Sequence, residues 1–384
     1  MRRTVYNEDH ESYRQMLRDF IEKEVVPVHD AWEEQGHPPR EFYNRLGELG
    51  VLGTQVSEEY GGGGEPSFKY AAIAIEETTR AAVSFGSHSV HTNLMLPYLM
   101  KGTEEQKKRW LPGFVSGEIM TAIAMTEPGT GSDLANIATK AVLSDDGSHY
   151  ILNGAKTFIT GGALADRILV VCRTSPFDPD NRRGGLSILV VDTTSEGFVV
   201  GKKLKKLGLK ASDTAELAFT DVKVPVDDLL GEEGEAFRYL TSNLPQERLT
   251  IALGAAAAAE AAIRFATQYV SERQVFGQPV AKFQNTKFVL AECSAETQAA
   301  RIMADQALEA LDAGELSIAD AARAKLFCTE VAGRVIDKCV QLHGGYGYIW
   351  EYPIARLYAD TRVSRIYGGT SEVMKTIIAK DLGL

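Results

Sequence analysis

Strand-type patterning occupies only the middle third of this 384-residue chain. Between Met120 and Pro225 the runs TAIAMTE, HYILNGAKTFIT, DRILVVCR, LSILVVD and TAELAFTDVKV are short and β-rich, and turn clusters such as EPGTGSD and DPDNRRGG separate them. No helical pattern of ten or more residues interrupts them, which argues against a doubly wound sheet and for an antiparallel β unit. The flanks are helical. Tyr13, Leu17, Phe20, Ile21 and Val25 make one apolar face that Pro27 ends or bends, and a short helix runs from Pro39 to a glycine stop near Gly50. Thr103 and Gln106 fit a capping box. After the β unit one long helical segment runs from Glu233 to about Arg273, a second covers Phe283 to Leu311, and Ser317 with Asp320 caps a third that reaches Leu342. The fold class is therefore α+β, with expected units at 1–119 (helical), 120–228 (β) and 229–384 (helical).

Composition narrows the function. A net charge of -11 argues against a nucleic-acid binder, which needs a basic stripe. With no run of about 18 apolar residues, no membrane span is predicted. The start, MRRTVYNEDHESYRQMLRDF, lacks a signal-peptide core, and Cys172, Cys293, Cys328 and Cys339 form no CxxC pair. A cytoplasmic protein is expected, or a matrix protein if the chain is a mature mitochondrial form.

The stretch Leu240 to Ala259, LTSNLPQERLTIALGAAAAA, carries the first chemical signal. On a helix, Leu240, Leu244, Glu247, Ile251, Gly254 and Ala258 share one stripe, which sets the Glu247 carboxylate between Leu244 and Ile251. A buried carboxylate must find a partner or raise its pKa, and a raised pKa in a dry pocket suits a general base. Alternatively Pro245 opens the helix and Glu247 is a first-turn acid stabilised by the helix dipole. The window by itself leaves both readings open. The alanine run implies close packing against neighbouring helices.

There is no GxGxxG after a strand, no GxxxxGK[ST], no GxSxG and no HExxH. Four other stretches combine glycines, hydroxyls and aromatics: AMTEPGTGSDL (Ala124 to Leu134), FITGG (Phe158 to Gly162), QLHGGYGY (Gln341 to Tyr348) and IYGGTSEVMK (Ile366 to Lys375). Each alone reads equally well as a turn, a packing aromatic, a glycine C-cap, or a helix start with Ser371 as N-cap. Together, in this order on an α–β–α frame, they resemble the acyl-CoA dehydrogenase family over nearly the whole chain. AMTEPGTGSD is similar to the family's first signature and Gln341 to Glu372 to its second. LPQERL, QLHGGYGYIWEYPIA and IYGGTSEVMK look like the long-chain branch.

The resemblance implies three domains, the last four-helix-bundle-like, and FAD-dependent α,β-dehydrogenation of a fatty acyl-CoA to the trans-2-enoyl-CoA, in β-oxidation or related acyl catabolism. Most of the family carries its base in a Y-E-G-T segment, which here reads Tyr367-Gly368-Gly369-Thr370. The long-chain and isovaleryl branches place the base on the long helix, at the position of Glu247. The backbone N–H at Gly368 and a ribityl hydroxyl of FAD would polarise the thioester carbonyl. For FAD the resemblance implies Ile123, Ala124, Met125, Thr126, Gly131, Ser132, Phe158 (under the flavin ring), Ile159, Thr160, Arg273, Phe276, Gln284, Gln341, Leu342, His343, Gly344, Gly345, Thr370, Ser371 and Glu372. For acyl-CoA it implies Ser132, Pro245, Gln246, Glu247, Arg248 and Gly368, with Arg183 as a candidate for the nucleotide end of CoA or simply a solvated charge. The helix around His88 to Leu99 would floor the acyl pocket. RQVFG (Arg273 to Gly277) matches an element that reaches a neighbouring subunit's FAD, so a homo-oligomer is implied, in this family usually a tetramer built as a dimer of dimers. An electron-transferring flavoprotein would reoxidise the flavin. Two rival readings stand beside this one: an oxygen-using flavin monooxygenase or nitroalkane-oxidising enzyme on the same fold, which needs no base at 247, and a non-enzymatic flavoprotein that binds nucleic acid or acts as a scaffold.

Overall fold

Asn7, Thr103, Ser317 and Thr370 each cap a helix start through the side chain. Asn7 and His10 form a reciprocal capping box at α1 (Glu8–Phe20), as Thr103 and Gln106 do at α6 (Glu104–Ser116). Residues 3–384 are described here from a computed structural model. The remaining helices before the sheet are α2 (His29–Gln35), α3 (Arg40–Glu48), α4 (Lys69–Arg80) and α5 (Leu96–Leu99). Pro27 does not end the first helical run. A π turn (Ile21–Val25) and a 3₁₀ turn (Val26–Val28) absorb its missing N–H and lead into α2.

The sheet contains β1 (Thr121–Ala124), β2 (Lys140–Leu143), β3 (His149–Thr160), β4 (Arg167–Arg173), β5 (Leu186–Asp192), β6 (Phe198–Lys203) and β7 (Thr214–Pro225). Their order is β1-β4-β2-β3-β7-β6, with β5 paired to β4. Most pairings are antiparallel, as expected, but β1 lies parallel to β4, and β2 touches β4 in parallel at one residue pair. β2 runs the same way as β1, and β3 returns the chain to the end of the sheet where β1 began, so β4 runs parallel to β1 and the unit is mixed rather than purely antiparallel.

After the sheet come α7 (Ala236–Glu272), a two-stranded hairpin of β8 (Gln274–Val275) and β9 (Gln278–Pro279), α8 (Gln284–Asp312), α9 (Ile318–His343), α10 (Pro353–Thr361) and α11 (Ser371–Asp381). Ser317 caps α9 through the Asp320 N–H. At α11 the N-cap is Thr370, not Ser371: Thr370 has the extended backbone a cap needs and accepts from the Val373 N–H, while Ser371 is the first helical residue and donates to Glu330. Pro245 lies inside α7, so the helix does not begin there.

All five residues of the Ala255–Ala259 run are buried, and α7, α8 and α9 share one apolar core. By length and composition α7 could cross a membrane, with a mean hydropathy of 1.5 over its most apolar window. Two-thirds of that window (67%) is buried inside the chain, so the protein's own core accounts for its apolar character.

A buried ion cluster ties the N-terminal helices to the helices that follow the sheet. Glu76 of α4 meets Arg3, Arg14 of α1 and Arg301 of α8 at 2.8 to 2.9 Å.

Candidate active site

The site starts from an irregularity. Val90–Met95 is a π turn, and Pro97 follows it in α5. Pro97 has no N–H, so the Asn93 carbonyl four residues earlier loses its helical donor, and the Gln246 amide of α7 supplies one at 2.8 Å. Asn243, one turn before Gln246, donates to the Leu94 carbonyl at 3.2 Å. On its other side the π turn meets β1, where His91 Nδ1 accepts from the Thr121 N–H at 3.1 Å. This segment therefore links the sheet to α7 at the level of Glu247.

Glu247 is 6% exposed and sits mid-helix, so the first-turn reading does not hold. The Tyr98 phenol donates to its Oε1 at 2.9 Å and the Asn243 amide to the same oxygen at 3.2 Å. Among the described residues nothing donates to Oε2. Burial pushes this carboxyl above the usual carboxylate range, while Tyr98, the Arg248 charge and Asn243 pull the other way without reversing it. Arg248 is buried, and its Nε and Nη1 find no hydrogen-bond partner among the described residues. Lys325 of α9, fully buried, donates to the Gly369 carbonyl at 2.6 Å, and burial followed by the nearby Arg248 lowers it to about 8.

Gly368 adopts φ +63°, and a Cβ there would stand 2.4 Å from Ile251 Cδ1, one turn beyond Glu247. The two base positions that the resemblance implies for different branches thus both adjoin Ile251, 247 one turn before it on α7 and 368 against its Cδ1. Tyr98, Asn243, Pro245 and Gln246 also line a cavity of about 410 Å³.

A second group of expected residues lies on the sheet. The β1 end and its turn are fixed to β3: the Thr157 N–H donates to the Thr126 carbonyl at 2.9 Å, and buried Lys156 bonds the Met125 carbonyl and Glu127, both at 2.9 Å. A break in the β3–β7 register falls between Lys156 and Ile159, and there Phe158 takes φ +59° with its ring 67% exposed. A left-handed aromatic held out on a rigid strand is a flat platform, the strained geometry found at functional sites. Ile123 and Ala124 are buried in β1 and Ile159 in β3, so their side chains serve the core and only their backbone is available. Gly131 and Ser132 are exposed in the turn, where Asp133 pairs with Arg182 at 2.6 Å. Beside that pair, Arg183 lies over the ring of Phe237, near the start of α7.

The third group is remote from the other two. Arg273, Gln341, Leu342, His343, Gly344 and Gly345 surround a cavity of about 560 Å³. Tyr269 stacks on His343 at 4.5 Å, and no atom lies where a Cβ on Gly344 or Gly345 would stand. A guanidinium, stacked rings and open glycine backbone suit an anionic aromatic nucleotide. Phe276 and Gly277 both have positive φ at the tip of the β8–β9 hairpin, where Phe276 is 96% exposed. Gln284 begins α8 and is exposed. Along α7, Arg273 lies about 39 Å from Glu247 at 1.5 Å per residue.

Tyr98, Asn243, Lys156, Glu127 and Lys325 were not singled out, although Tyr98 falls in the helix expected to floor the pocket and Glu127 in the AMTEPGTGSDL stretch. A tyrosine in the apolar run NLMLPYLM was the available sign, since a buried phenol needs a partner, and Asn243 sits four residues before Glu247 on one helix face.

Comparison with known proteins follows the same three-part division. Residues 7–118, 122–222 and 234–383 match, in turn, the N-terminal, middle and C-terminal domains of acyl-CoA dehydrogenase. The chain is 42% identical over 381 residues to the long-chain specific acyl-CoA dehydrogenase of pig mitochondria, covering 99% of this chain and 88% of that one. It is 38% identical to the 3-(aryl)acrylate reductase of Clostridium sporogenes, over 98% of this chain and 99% of the relative. With the caffeyl-CoA reductase–Etf complex subunit CarC of Acetobacterium woodii it shares 35% identity, over 97% and 98%. Among solved structures, the acyl-CoA dehydrogenase of Geobacillus kaustophilus superposes with a TM-score of 0.95 at 47% identity, covering 99% of both chains. The Bacillus anthracis acyl-CoA dehydrogenase complexed with FAD superposes at 0.90 with 32% identity, covering 100% of this chain and 69% of that one. With the fold and all three domains in agreement, the chain belongs to the acyl-CoA dehydrogenase family and is an enzyme of acyl-CoA dehydrogenation.

Proposed function

We propose that the chain oxidises a fatty acyl-CoA to the trans-2-enoyl-CoA with Glu247 as the α-proton acceptor and FAD as the bound cofactor. The observation that carries this is the half-satisfied carboxylate: Glu247 is buried on α7 with Oε1 held by two neutral donors and Oε2 open. Burial makes it a stronger base than a solvated carboxylate. A thioester α-proton is too weak an acid for a free carboxylate, so the carbonyl must also be polarised. The Gly368 N–H is engaged by no hydrogen bond among the described residues and stands beside Ile251, next to the base, as a donor for that oxygen. The missing glutamate of the Y-E-G-T segment does not silence such a site, because the N–H is backbone. Ser132, Pro245, Gln246 and Arg248 flank the thioester and pantetheine in this reading, and Arg183 the nucleotide end.

The residues fit FAD in two separate places. Thr126 and Thr160 offer polar groups beside the exposed Phe158 ring, and Thr370 to Glu372 open α11 with backbone N–H groups. Arg273 and the glycine cradle at Gly344 suit a pyrophosphate and adenine. FAD, when bound, supplies the acceptor for the hydride that leaves the β-carbon. About 39 Å of α7 separates Arg273 from Glu247, which supports the Arg273 cradle serving a different flavin from the one beside Glu247 and hence a second copy of the chain, with a tetramer as the family's usual form. The exposed Phe276 beside Arg273 fits that arrangement. An electron-transferring flavoprotein is the proposed electron acceptor, in line with the Etf-associated relative.

A panel of acyl-CoAs assayed with an artificial electron acceptor tests the function: turnover and anaerobic bleaching of a bound flavin are expected, and a folded protein that takes up no FAD sinks the reading. The reductase relative favours one further reading, the same site run toward saturation of an acrylate-type thioester. Parallel assays with enoyl-CoA and a reduced dye discriminate between them.

A further inference from the structure

We propose that Tyr98 is a positioning residue for this reaction: its phenol, with the Asn243 amide, fixes Oε1 of Glu247 so that Oε2 is the oxygen offered to the α-carbon. The inference rests on Glu247 as the base and adds how that base is aimed.

A glutamate's terminal torsion is soft, so an unrestrained carboxylate samples many orientations. Here two donors from two helices converge on one oxygen, at 2.9 Å from Tyr98 and 3.2 Å from Asn243. Neither donor is free to drift. The Asn243 amide also donates to the Leu94 carbonyl at 3.2 Å, which fixes which way it faces. Tyr98 is 1% exposed, and its backbone follows the π turn and Pro97, whose freed Asn93 carbonyl is tied to Gln246 of the same α7 face. The π turn adds a residue to its helical turn, and that shift in phase turns Tyr98 toward α7.

Burial, and then the charge of Glu247, hold the phenol far above its ordinary range, so Tyr98 keeps its proton and stays a donor. The groups that face Glu247 are Tyr98 from α5, Asn243 and Arg248 from α7, and, behind Arg248, Lys325 from α9. Only the cations remain if the two neutral donors are removed, and neither cation makes a hydrogen bond to the carboxylate. Loss of Tyr98 therefore frees the carboxylate's orientation and weakens its charged form together.

Tyr98→Phe separates this from a purely structural tyrosine. In the FAD-loaded enzyme, the expected result is anaerobic flavin reduction about tenfold slower on its high-pH plateau, with the midpoint of the rate–pH curve raised by roughly one unit, the equivalent of a tenfold change in equilibrium. Substrate affinity is expected to change less than twofold. Without turnover, isotope-edited infrared titration of the Glu247 carboxyl band is expected to show the same upward displacement. Asn243→Leu removes the second donor and is expected to move both curves the same way by less; it carries the test if Tyr98→Phe fails to fold. A slower plateau with unmoved midpoints in both measurements overturns the proposal, because misfolding or loose packing lowers a rate without retuning the base. A Glu247→Gln enzyme that still reduces its flavin overturns the base assignment and the clamp with it. An inactive Glu247→Gln beside unshifted Tyr98→Phe and Asn243→Leu overturns the clamp alone.

Discussion

Glu76 and Glu247 are the same residue type, on helices, at nearly equal burial: 4% and 6% exposed. Their surroundings differ. Glu76 is enclosed by the guanidiniums of Arg3, Arg14 and Arg301, which outweigh the cost of burial and hold it down at about 2. Glu247 has a phenol and an amide on one oxygen and, among the described residues, no donor on the other, and burial raises it. Three cations make a clamp between α1, α4 and α8; two neutral donors leave a group able to take a proton. Burial alone does not decide between structure and chemistry, and the charge of the partners does.

The largest effect that sharpens this contrast is expected from Glu247→Gln. The amide keeps shape and hydrogen bonding but cannot accept the α-proton, so flavin reduction should fall by 10³-fold or more, toward or beyond the upper end of the usual ~10²–10⁴ general-base contribution. FAD and acyl-CoA binding should persist. Stopped-flow bleaching under anaerobic conditions measures it, and near-normal bleaching places the base elsewhere.

Glu76→Gln should do the reverse. Removing one partner from a buried pair typically costs about 3–5 kcal/mol, here toward the lower end because Arg301 keeps Glu260. The thermal transition should drop while flavin reduction per folded, FAD-loaded molecule stays within about twofold. A variant that is inactive yet as stable as the parent breaks the comparison.

Acidification should separate the two groups on one sample. Glu76 has a folded pKa below its unfolded value of about 4.3, so its stabilisation is present above that pH and is lost as pH falls toward about 2. Glu247 is shifted upward, so it protonates first and the rate should fall before the structure weakens. Reduction rates and melting midpoints measured across the same pH series check the order; coincident loss contradicts it.

The smallest expected effect is a rescue. With Glu247→Gly nearly inactive, adding Gly368→Glu should recover part of the rate, since a side chain at 368 starts against Ile251, one helical turn from 247 on α7. Recovery is limited by φ +63° and by the 2.4 Å approach to Ile251 Cδ1, so a third change, Ile251→Val, should add a few-fold more. Flavin reduction rates for the single, double and triple variants across several acyl-CoAs, where the chain-length preference should also shift, test whether both positions face one carbon.

Arg273→Ala bears on the remote cavity. It should weaken FAD retention by removing a charge-assisted contact to phosphate, with Glu247 untouched, and loss of flavin on gel filtration reads it out.

Local pattern was enough for a good deal of this protein. The α–β–α order, the capping residues at Thr103 and Ser317, the close-packed alanines and the stripe that carries Glu247 are all short-range properties, set by periodicity and by which side chains satisfy free backbone groups. The choice of Ser371 over Thr370 as a cap failed because adjacent hydroxyls look alike until the backbone angles at each are known. Parallel pairing of β1 with β4 escaped the pattern because strand direction is settled by the path of the chain between strands. What only the tertiary structure decided is which partners each buried charge meets. Tyr98 and Glu247 lie 149 positions apart and Glu76 and Arg301 lie 225 apart, so no local rule links them. Sequence placed a carboxylate on an apolar helix face; the π turn, Pro97 and the packing of α5 on α7 determined that it meets the neutral Tyr98 phenol rather than a cation, because a pKa is set by neighbours in space as well as in the chain.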